Sequence, residues 1–292
     1  GRESVKLQFV TSGLRTTTQD LGRPGYTHMG VPTGGALDRS ALQYANNLVG
    51  NALATPVLEI MLSGPHVRCL EPGRVALVGR GFSLLLNGAQ QTYNCAVSVN
   101  AGDELVIKSS GNGCRSYLAV SGEWQVKRWL GSASALRVGS HELLPEAVWQ
   151  SGDVLTTRDT SVKPWPSTML PPQPAGNLVR VLPGPEFDWL DHRGRSQLLS
   201  KPIVVVDPSN RIGLRTDTQI QLREDKRDTE MVSSGVQPGT VQLTHAGQAI
   251  ILMRDGQTIG GYPRVLQCVN QSLDQLAQIK AGDELMLSLI DS

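Results

Sequence analysis

Between Glu59 and Val120 the apolar residues come only in short runs, each closed by a turn signal. Val75 to Val78, Phe82 to Leu86, Val97 to Val99, Leu105 to Ile107 and Tyr117 to Val120 are separated by Pro72-Gly73, Asn87-Gly88, Gly102-Asp103 and Gly111-Asn-Gly113. Runs this short are too brief for amphipathic helices and fit strands. Their even spacing points to a barrel or sandwich, so the chain reads as mainly β. Val5 to Val10, with Val5, Leu7 and Phe9 alternating against polar neighbours, adds an opening strand. The stretch Val75-Ala-Leu-Val-Gly79-Arg-Gly81 has two glycines of a dinucleotide-binding turn. It lacks the third and runs on into Phe82-Ser-Leu-Leu-Leu86, a strand where that fold needs a helix. A short echo also recurs: Ala101-Gly-Asp-Glu-Leu105, Ala281-Gly-Asp-Glu-Leu285 and, more loosely, Ser151-Gly-Asp-Val-Leu155. Each reads as a Gly-Asp turn feeding a strand, and the pair of close copies suggests two related β-barrel halves.

A length of 292 residues fits one large domain or two ordinary ones. Five prolines crowd the stretch from Pro164 to Pro174, too many for helix or strand. That segment reads as a linker over 164–177, between a domain at 1–163 and another at 178–292. Helices are few. Asp38 is an N-cap for a helix whose apolar face is Ala41, Leu42, Ala45, Leu48 and Val49, with Gly50 as its stop. Pro185 to Leu190 opens a short helix, and Ser272 with Gln275 forms a capping box ahead of a late one. Leu178 to Leu182, Ile203 to Val206 and Val241 to Met253 supply further strands.

Composition excludes several classes of partner. The formal charge is +1 and the basic residues are scattered, so no nucleic-acid surface is expected. No apolar run is long enough to span a membrane and no signal peptide opens the sequence, so the expected compartment is cytoplasmic. Cys69, Cys95, Cys114 and Cys268 lie far apart, without C-x-x-C or zinc-like spacing, and read as buried free thiols of a reducing compartment. Walker, nucleophile-elbow, zincin and biotin-carrier motifs are missing.

Chemistry gathers in two stretches. From Gly13 to Asn51, glycines at Gly22, Gly25, Gly30, Gly34 and Gly35 alternate with Gln19, Asp20, Arg23, Asp38, Asn46 and Asn47. Backbone freedom combined with polar groups that are costly to bury suits a pocket lining. A long surface loop, clamped internally by Asp20 against Arg23, is the structural reading of the same residues. In the second stretch a strand at Ile250 to Met253 runs into Asp255, Gln257, Thr258, Gly260, Gly261 and Tyr262. Gly260 and Gly261 would let backbone amides approach an anion or amide; a wide hairpin is the alternative. Together these groups suit a small polar amide, with Arg23 and Gln257 polarising its carbonyl and Asp20 or Asp38 handling a proton. His28 is the one histidine inside either stretch. Glu59, among apolar neighbours, is either a buried acid with a partner or the outward residue of a strand.

Residue by residue, the chain resembles the allophanate hydrolase subunit 2 family, also described as biotin-dependent carboxyltransferase-like proteins and as the C-subunit of 5-oxoprolinase. The match runs through Thr18-Gln-Asp-Leu-Gly-Arg23, Gly30-Val-Pro32, Gly35-Ala-Leu-Asp38, Ala45-Asn46 and Leu48-Val-Gly-Asn51. It continues in Leu58-Glu59, Gly64-Pro65, Arg115-Ser-Tyr-Leu-Ala-Val120, Gln237-Pro-Gly-Thr240 and Gln257-Thr258 with Gly260-Gly-Tyr-Pro263. The resemblance implies two cyclophilin-like β-barrel domains with a few short helices. It implies a subunit 1 homologue (the B-subunit of 5-oxoprolinase) sharing a cleft with this chain, and the A-subunit of the same enzyme. The implied activity is an ATP-dependent 5-oxoprolinase complex opening 5-oxo-L-proline to L-glutamate, with no biotin attached to this chain. Related members form the carboxyltransferase part of urea carboxylase or antagonise a sporulation-kinase inhibitor. Asp20, Arg23 and Asp38 are the expected catalytic groups. Gln19, Asn46, Asn47, Arg211, Gln257, Thr258, Gly260, Gly261 and Tyr262 are the expected substrate contacts. The chain departs from the family pattern at Ser121-Gly-Glu-Trp124 and Gly131-Ser-Ala-Ser-Ala-Leu136, where a Gly-Gly pair and a Gly-Ser-Arg-Ser-Thr motif are usual.

Overall fold

The computed structural model describes residues 5–158, 171–172 and 176–290. Most of the expected linker, and with it the boundary expected there, lies outside them. Contacts divide the chain into two compact units, Gly1–Arg23 with Gly34–Pro174 and Pro24–Thr33 with Ala175–Ser292. The short excursion 24–33, which groups with the second unit, carries no signal in the sequence.

In the first unit two sheets share one core. One runs in the order Glu123–Trp124, Val154–Arg158, Lys6–Thr11, His66–Glu71, Glu104–Ser109, Phe82–Leu86, Ala89–Gln90; the other runs Arg15–Gln19, Val57–Met61, Arg115–Val120, Gly73–Val78, Ala96–Val99. Strand periodicity sorts the side chains. Leu58, Ile60, Val75, Leu77, Leu118 and Val120 join Leu7 and Phe9 in the core of the unit. Their alternates Val57, Ala76, Val78, Tyr117 and Ala119 turn the other way, against helix α1 (Arg39–Val49). Both faces of the second sheet are therefore covered, which is why Arg115–Val120 is buried at all six positions. Burying a Leu or Val side chain contributes roughly 1.5–3 kcal/mol.

Helix α1 follows its sequence signals. Asp38 accepts from the Ala41 amide at 2.8 Å, and Gly50 takes a left-handed φ of 79°. Behind the cap, Glu59 is a buried acid: it accepts from the Leu37 amide at 2.9 Å and the Tyr117 hydroxyl at 3.0 Å, with Arg115 at 3.7 Å. The Tyr117 oxygen in turn accepts from the Asp38 amide at 2.9 Å.

The second unit closes as a barrel. Its order is Leu178–Pro183, Arg264–Cys268, Thr240–Leu243, Ala249–Leu252, Gly213–Thr216, Ile203–Val206, Glu284–Leu289. A parallel pairing of Leu178–Pro183 with Glu284–Leu289 shuts the ring. Val179, Val181, Val205, Leu214, Val241, Ile251, Leu266, Leu285 and Leu287 are buried. Two helices differ from the sequence reading. Helix α2 (His192–Leu199), capped by Asp191, follows a single 3-10 turn at Phe187–Trp189, where one short helix from Pro185 was expected. Helix α3 (Asn270–Leu276) begins two residues before Ser272 and uses no side-chain cap. The Ser272 hydroxyl accepts instead from the Arg180 amide at 2.9 Å, tying the helix to the neighbouring strand. Among the described residues no helix is long and apolar enough to cross a membrane.

The three Gly-Asp echoes are one device used three times. Gly102, Gly152 and Gly282 have φ of 92°, 92° and 93°. Their amides donate at 2.7 Å to Cys69, Phe9 and Val205 of an adjoining strand. The following aspartates, Asp103, Asp153 and Asp283, accept from the amides of Asn100, Gln150 and Lys280 at 2.7, 2.8 and 3.0 Å. Each turn thus caps itself and delivers the next strand in register. A Cβ at any of the three glycines would meet nothing within 4 Å, so only the positive φ demands glycine. At Gly35 a Cβ would stand 2.7 Å from the Gly22 amide nitrogen and 2.8 Å from the Asp20 carbonyl oxygen. We therefore expect Gly102→Ala and Gly282→Ala to cost about 1 kcal/mol each, roughly 2–4 °C of Tm. Gly35→Ala should cost several times more. Thermal melts of the three variants check this; equal losses would mean that crowding at Gly35 is relieved by backbone movement.

Candidate functional site

A cavity of about 670 Å³ opens in the second unit. One wall is the Pro24–Thr33 excursion, which contributes Thr27, His28, Pro32 and Thr33. The 3-10 turn Thr27–Met29 is stopped by Gly30 at φ 77° and leaves the His28 ring exposed. The lining is completed by residues of the Gln237-Pro-Gly-Thr240 turn, by the Gly256-Gln-Thr-Ile259 segment and by Arg254, Arg264 and Gln267. Among the described residues of the lining none is acidic. What it offers is side-chain amides, hydroxyls and cations, donors suited to a small polar molecule rich in acceptor atoms.

The turn residues behave as their chemistry requires. Gly239 sits at φ 87° after Pro238, the type II arrangement, and the Thr240 amide donates to the Gln237 carbonyl at 3.0 Å. The Thr240 hydroxyl accepts from the Gln237 amide at 3.2 Å and donates to the Gln267 Oε1 at 2.9 Å. Gln267 donates back to the Pro238 carbonyl at 2.9 Å. Gln267 and Thr240 therefore hold the turn, and Gln237 is left exposed at its tip.

The two cavity arginines are matched to carboxylates. Arg264 reaches Glu186 three times, through its backbone amide and Nε at 2.9 Å and Nη2 at 2.8 Å. Arg254 lies 3.7 Å from Asp274. Arg211 makes a two-pronged pair with buried Asp255, at 2.7 and 2.9 Å. This bond braces the turn that carries Gln257 and Thr258, and Arg211 is not among the cavity residues. Gln257 and Thr258 do line the cavity. Tyr262 lines a smaller one nearby, which Gln257 also borders. Neither Gly260 nor Gly261 has a positive φ. At Gly260 a Cβ would lie 2.5 Å from the Gln242 side-chain nitrogen, so packing accounts for that glycine; at Gly261 a Cβ would make only ordinary contact.

The first stretch is buried in the first unit. Asp20 accepts from the Ser132 and Ser134 hydroxyls at 2.5 and 2.7 Å and from the Ala133 and Gly22 amides at 2.7 and 2.8 Å. Arg128 stands 3.5 Å away. Arg23, 1% exposed, donates to the Ser134 carbonyl at 2.6 Å and lies over the Trp129 ring at 5.3 Å. Gln19 donates to the Thr17 hydroxyl at 3.1 Å. Asn46 donates to the Thr55 carbonyl at 2.6 Å and accepts from Asn51 at 3.1 Å. Asn47, also buried, lies on the last turn of α1, where its carbonyl accepts from the Gly50 amide. Asn51 goes on to hold Val120 and Gly122, at the point where the family's Gly-Gly pair is replaced. Ser132 and Ser134, which sequence reasoning treated only as a departure, are thus the receptor for Asp20. The alternating Ser-Ala-Ser-Ala pattern is the signal that could have found them. All four cysteines are free, and Cys69, Cys114 and Cys268 are buried as expected, but Cys95 is exposed. Burial pushes the Cys268 thiol up to about 12, so this neighbour of Gln267 is no thiolate nucleophile.

The model of the carboxyltransferase domain, subdomain A and B, matches residues 29–289. The chain belongs to this carboxyltransferase-domain family. The C-subunit of 5-oxoprolinase from Escherichia coli K12 is 37% identical over 284 residues, covering 96% of this chain and 89% of that protein. Among solved structures, TTHA0988 superposes with a TM-score of 0.84 at 28% identity over 97% of this chain, which spans about half of it, 55%. The Kluyveromyces lactis urea carboxylase gives a TM-score of 0.86 at 26% identity over the whole chain, which covers 28% of that protein. The carboxyltransferase-domain fold therefore recurs as a segment of longer proteins.

In this carboxyltransferase domain Glu186 sets the position of a cavity cation, and its titration can be read. Burial alone would raise its carboxyl pKa, but the Arg264 hydrogen bonds outweigh that and hold it below the usual glutamate value. A carboxylate depressed in the folded state adds stability above its unfolded pKa, and loses it as pH falls through the folded one. Unfolding free energy should therefore fall as pH is lowered from about 4.3, and Glu186→Gln should flatten that part of the profile. Urea melts across this range measure it; an unchanged slope in the variant would show that the pair does not couple to folding.

Proposed function

We propose that this chain is the C-subunit of an ATP-dependent 5-oxoprolinase, which opens 5-oxo-L-proline to L-glutamate together with its B- and A-type partner chains. The reading rests on the 37% identity to the Escherichia coli relative, carried along 96% of this chain. The cavity supports it. A lactam is a polar amide whose oxygen and ring carboxylate are acceptors, and the amides and hydroxyls of Gln237, Gln257, Thr258 and Thr27 offer donors to them. Resonance makes the lactam carbonyl a poor electrophile, and ATP would supply its activation. Among the described residues no carboxylate lines the cavity to hold the magnesium ion of a nucleotide, and its arginines face Asp274 and Glu186. In this reading the cavity takes the amide, and ATP is used in the assembled complex.

Gln257 and Thr258 orient the substrate, and Arg211 positions them through Asp255. Asp20 and Asp38, committed to serine, amide and helix-cap donors, maintain the first unit rather than move protons. A carboxyltransferase acting on urea is the second reading, favoured by the superposition on Kluyveromyces lactis urea carboxylase.

The test is reconstitution. We expect no release of glutamate from 5-oxoproline by the chain alone, and ATP-dependent release once the partner chains are added. Thr258→Val should leave melting unchanged, Gln257→Ala should lower it only by the loss of its bond to Gln242, and both should lower turnover of the complex by about 10²-fold or more. Full turnover by the single chain would overturn the shared-complex reading, and full activity of both variants would overturn the site. ATP-dependent carboxylation of urea, without glutamate release, would favour the second reading.

A further inference from the structure

Next to the main cavity the second unit holds a smaller one of about 250 Å³. Gln257 borders both, but the smaller cavity has a different character. Ile212, Ile250 and Leu252 give it an apolar body, while Asn210, Arg215, Gln242, Gln257 and Tyr262 carry side-chain donors. Among the described residues that line it none is acidic.

Gln242 is the unusual member. It lies on the barrel strand Thr240–Leu243 and is 1% exposed. Its Oε1 accepts from Gln257 Nε2 at 3.3 Å, which fixes which way the amide points. Among the described residues, its Nε2 has no hydrogen-bond partner. A buried amide nitrogen without an acceptor is destabilising, and its neighbours keep the amide where it is. A Cβ at residue 260 would stand 2.5 Å from Nε2, so glycine there is what gives this amide room. Tyr262 is held by an edge contact with His245, ring centroids 5.4 Å apart. Arg215 is exposed, and its Nη1 touches only a neutral group, Gln248 Oε1, at 3.4 Å.

We propose that this smaller cavity is a second binding site, for a small carboxylate with an apolar tail. The Arg215 guanidinium and the Tyr262 hydroxyl, with no carboxylate among the described lining residues, select an acceptor that carries negative charge, and the buried Gln242 amide is part of the wall beside them. The aliphatic side chains take the tail. At roughly 30 Å³ per water-sized group the space holds about eight non-hydrogen atoms, less than the drug-sized ligands that larger pockets take. The site does not depend on the 5-oxoprolinase reading, because its residues other than Gln257 do not line the main cavity.

The experiment is a titration of the full chain, without ATP or partners, followed by ¹⁵N-resolved NMR of side-chain amides. Butyrate is the probe, and butyramide is its neutral match in size. Butyrate should shift the Gln242 side-chain amide saturably, and butyramide should bind about tenfold more weakly or not at all. Arg215→Gln, an exposed change that leaves the fold intact, should weaken butyrate by about tenfold. Tyr262→Phe should weaken butyrate as well, read at the same Gln242 amide; should that variant misfold, Arg215→Gln and the butyramide comparison carry the test. Equal binding of butyrate and butyramide, unchanged butyrate binding in Arg215→Gln, or no saturable response at Gln242 would each overturn the proposal. Turnover of the reconstituted complex is read separately, so failure of one reading leaves the other standing.

Discussion

A carboxylate removed from water must be surrounded by donors, and the first unit is arranged to supply them to Asp20. Four come from Ser132, Ala133, Ser134 and Gly22. Losing one would leave a buried charge short of partners, at a cost of about 1–3 kcal/mol. The consequences spread along the chain. The Asp20 carbonyl accepts from the Ala36 amide at 2.9 Å, and Gly35 packs against the backbone of residues 20–22. The chain just before and just after residues 24–33 is thereby pinned together around a buried acid. The segment bearing Thr27 and His28 leaves and rejoins the first unit at that one place.

The barrel of the second unit obeys a parallel logic with different chemistry. Its cavity is shaped by braces in and behind its lining: Asp255 with Arg211, Glu186 with Arg264, and Gln267 with the Pro238 turn. Charged groups beneath a site are useful when paired, because paired they fix backbone position without holding a ligand by charge alone. The groups left facing the cavity, Gln257 and Thr258 above all, are neutral donors on a braced turn. Such a surface discriminates by shape and hydrogen bonding, which suits an amide.

Much of this was legible from residues alone. Apolar runs closed by turn residues announced the strands, because period-2 burial and short length leave a helix no room. Asp38 and Gly50 announced helix α1 from both ends. The Gly-Asp echo proved to be one turn repeated three times, with φ values within a degree of one another. Helix α2 and the start of α3 were missed. Ser272 has a capping residue's chemistry, but the Arg180 backbone on the neighbouring strand competes for its hydroxyl.

The sequence by itself determined the mainly β fold, the helix caps and the two stretches where polar groups gather among glycines. Those are local properties, set by backbone sterics and side-chain spacing within a few residues. Tertiary structure decided which stretch faces solvent and which faces inward. Asp20 meets Ser132 and Ser134 more than a hundred residues later, and Arg211 meets Asp255 forty-four residues on. Whether a carboxylate or guanidinium is a brace or a ligand contact depends on what waits for it at that distance. No periodicity in a sequence encodes such a meeting, because long-range pairing is a property of the closed sheet and barrel.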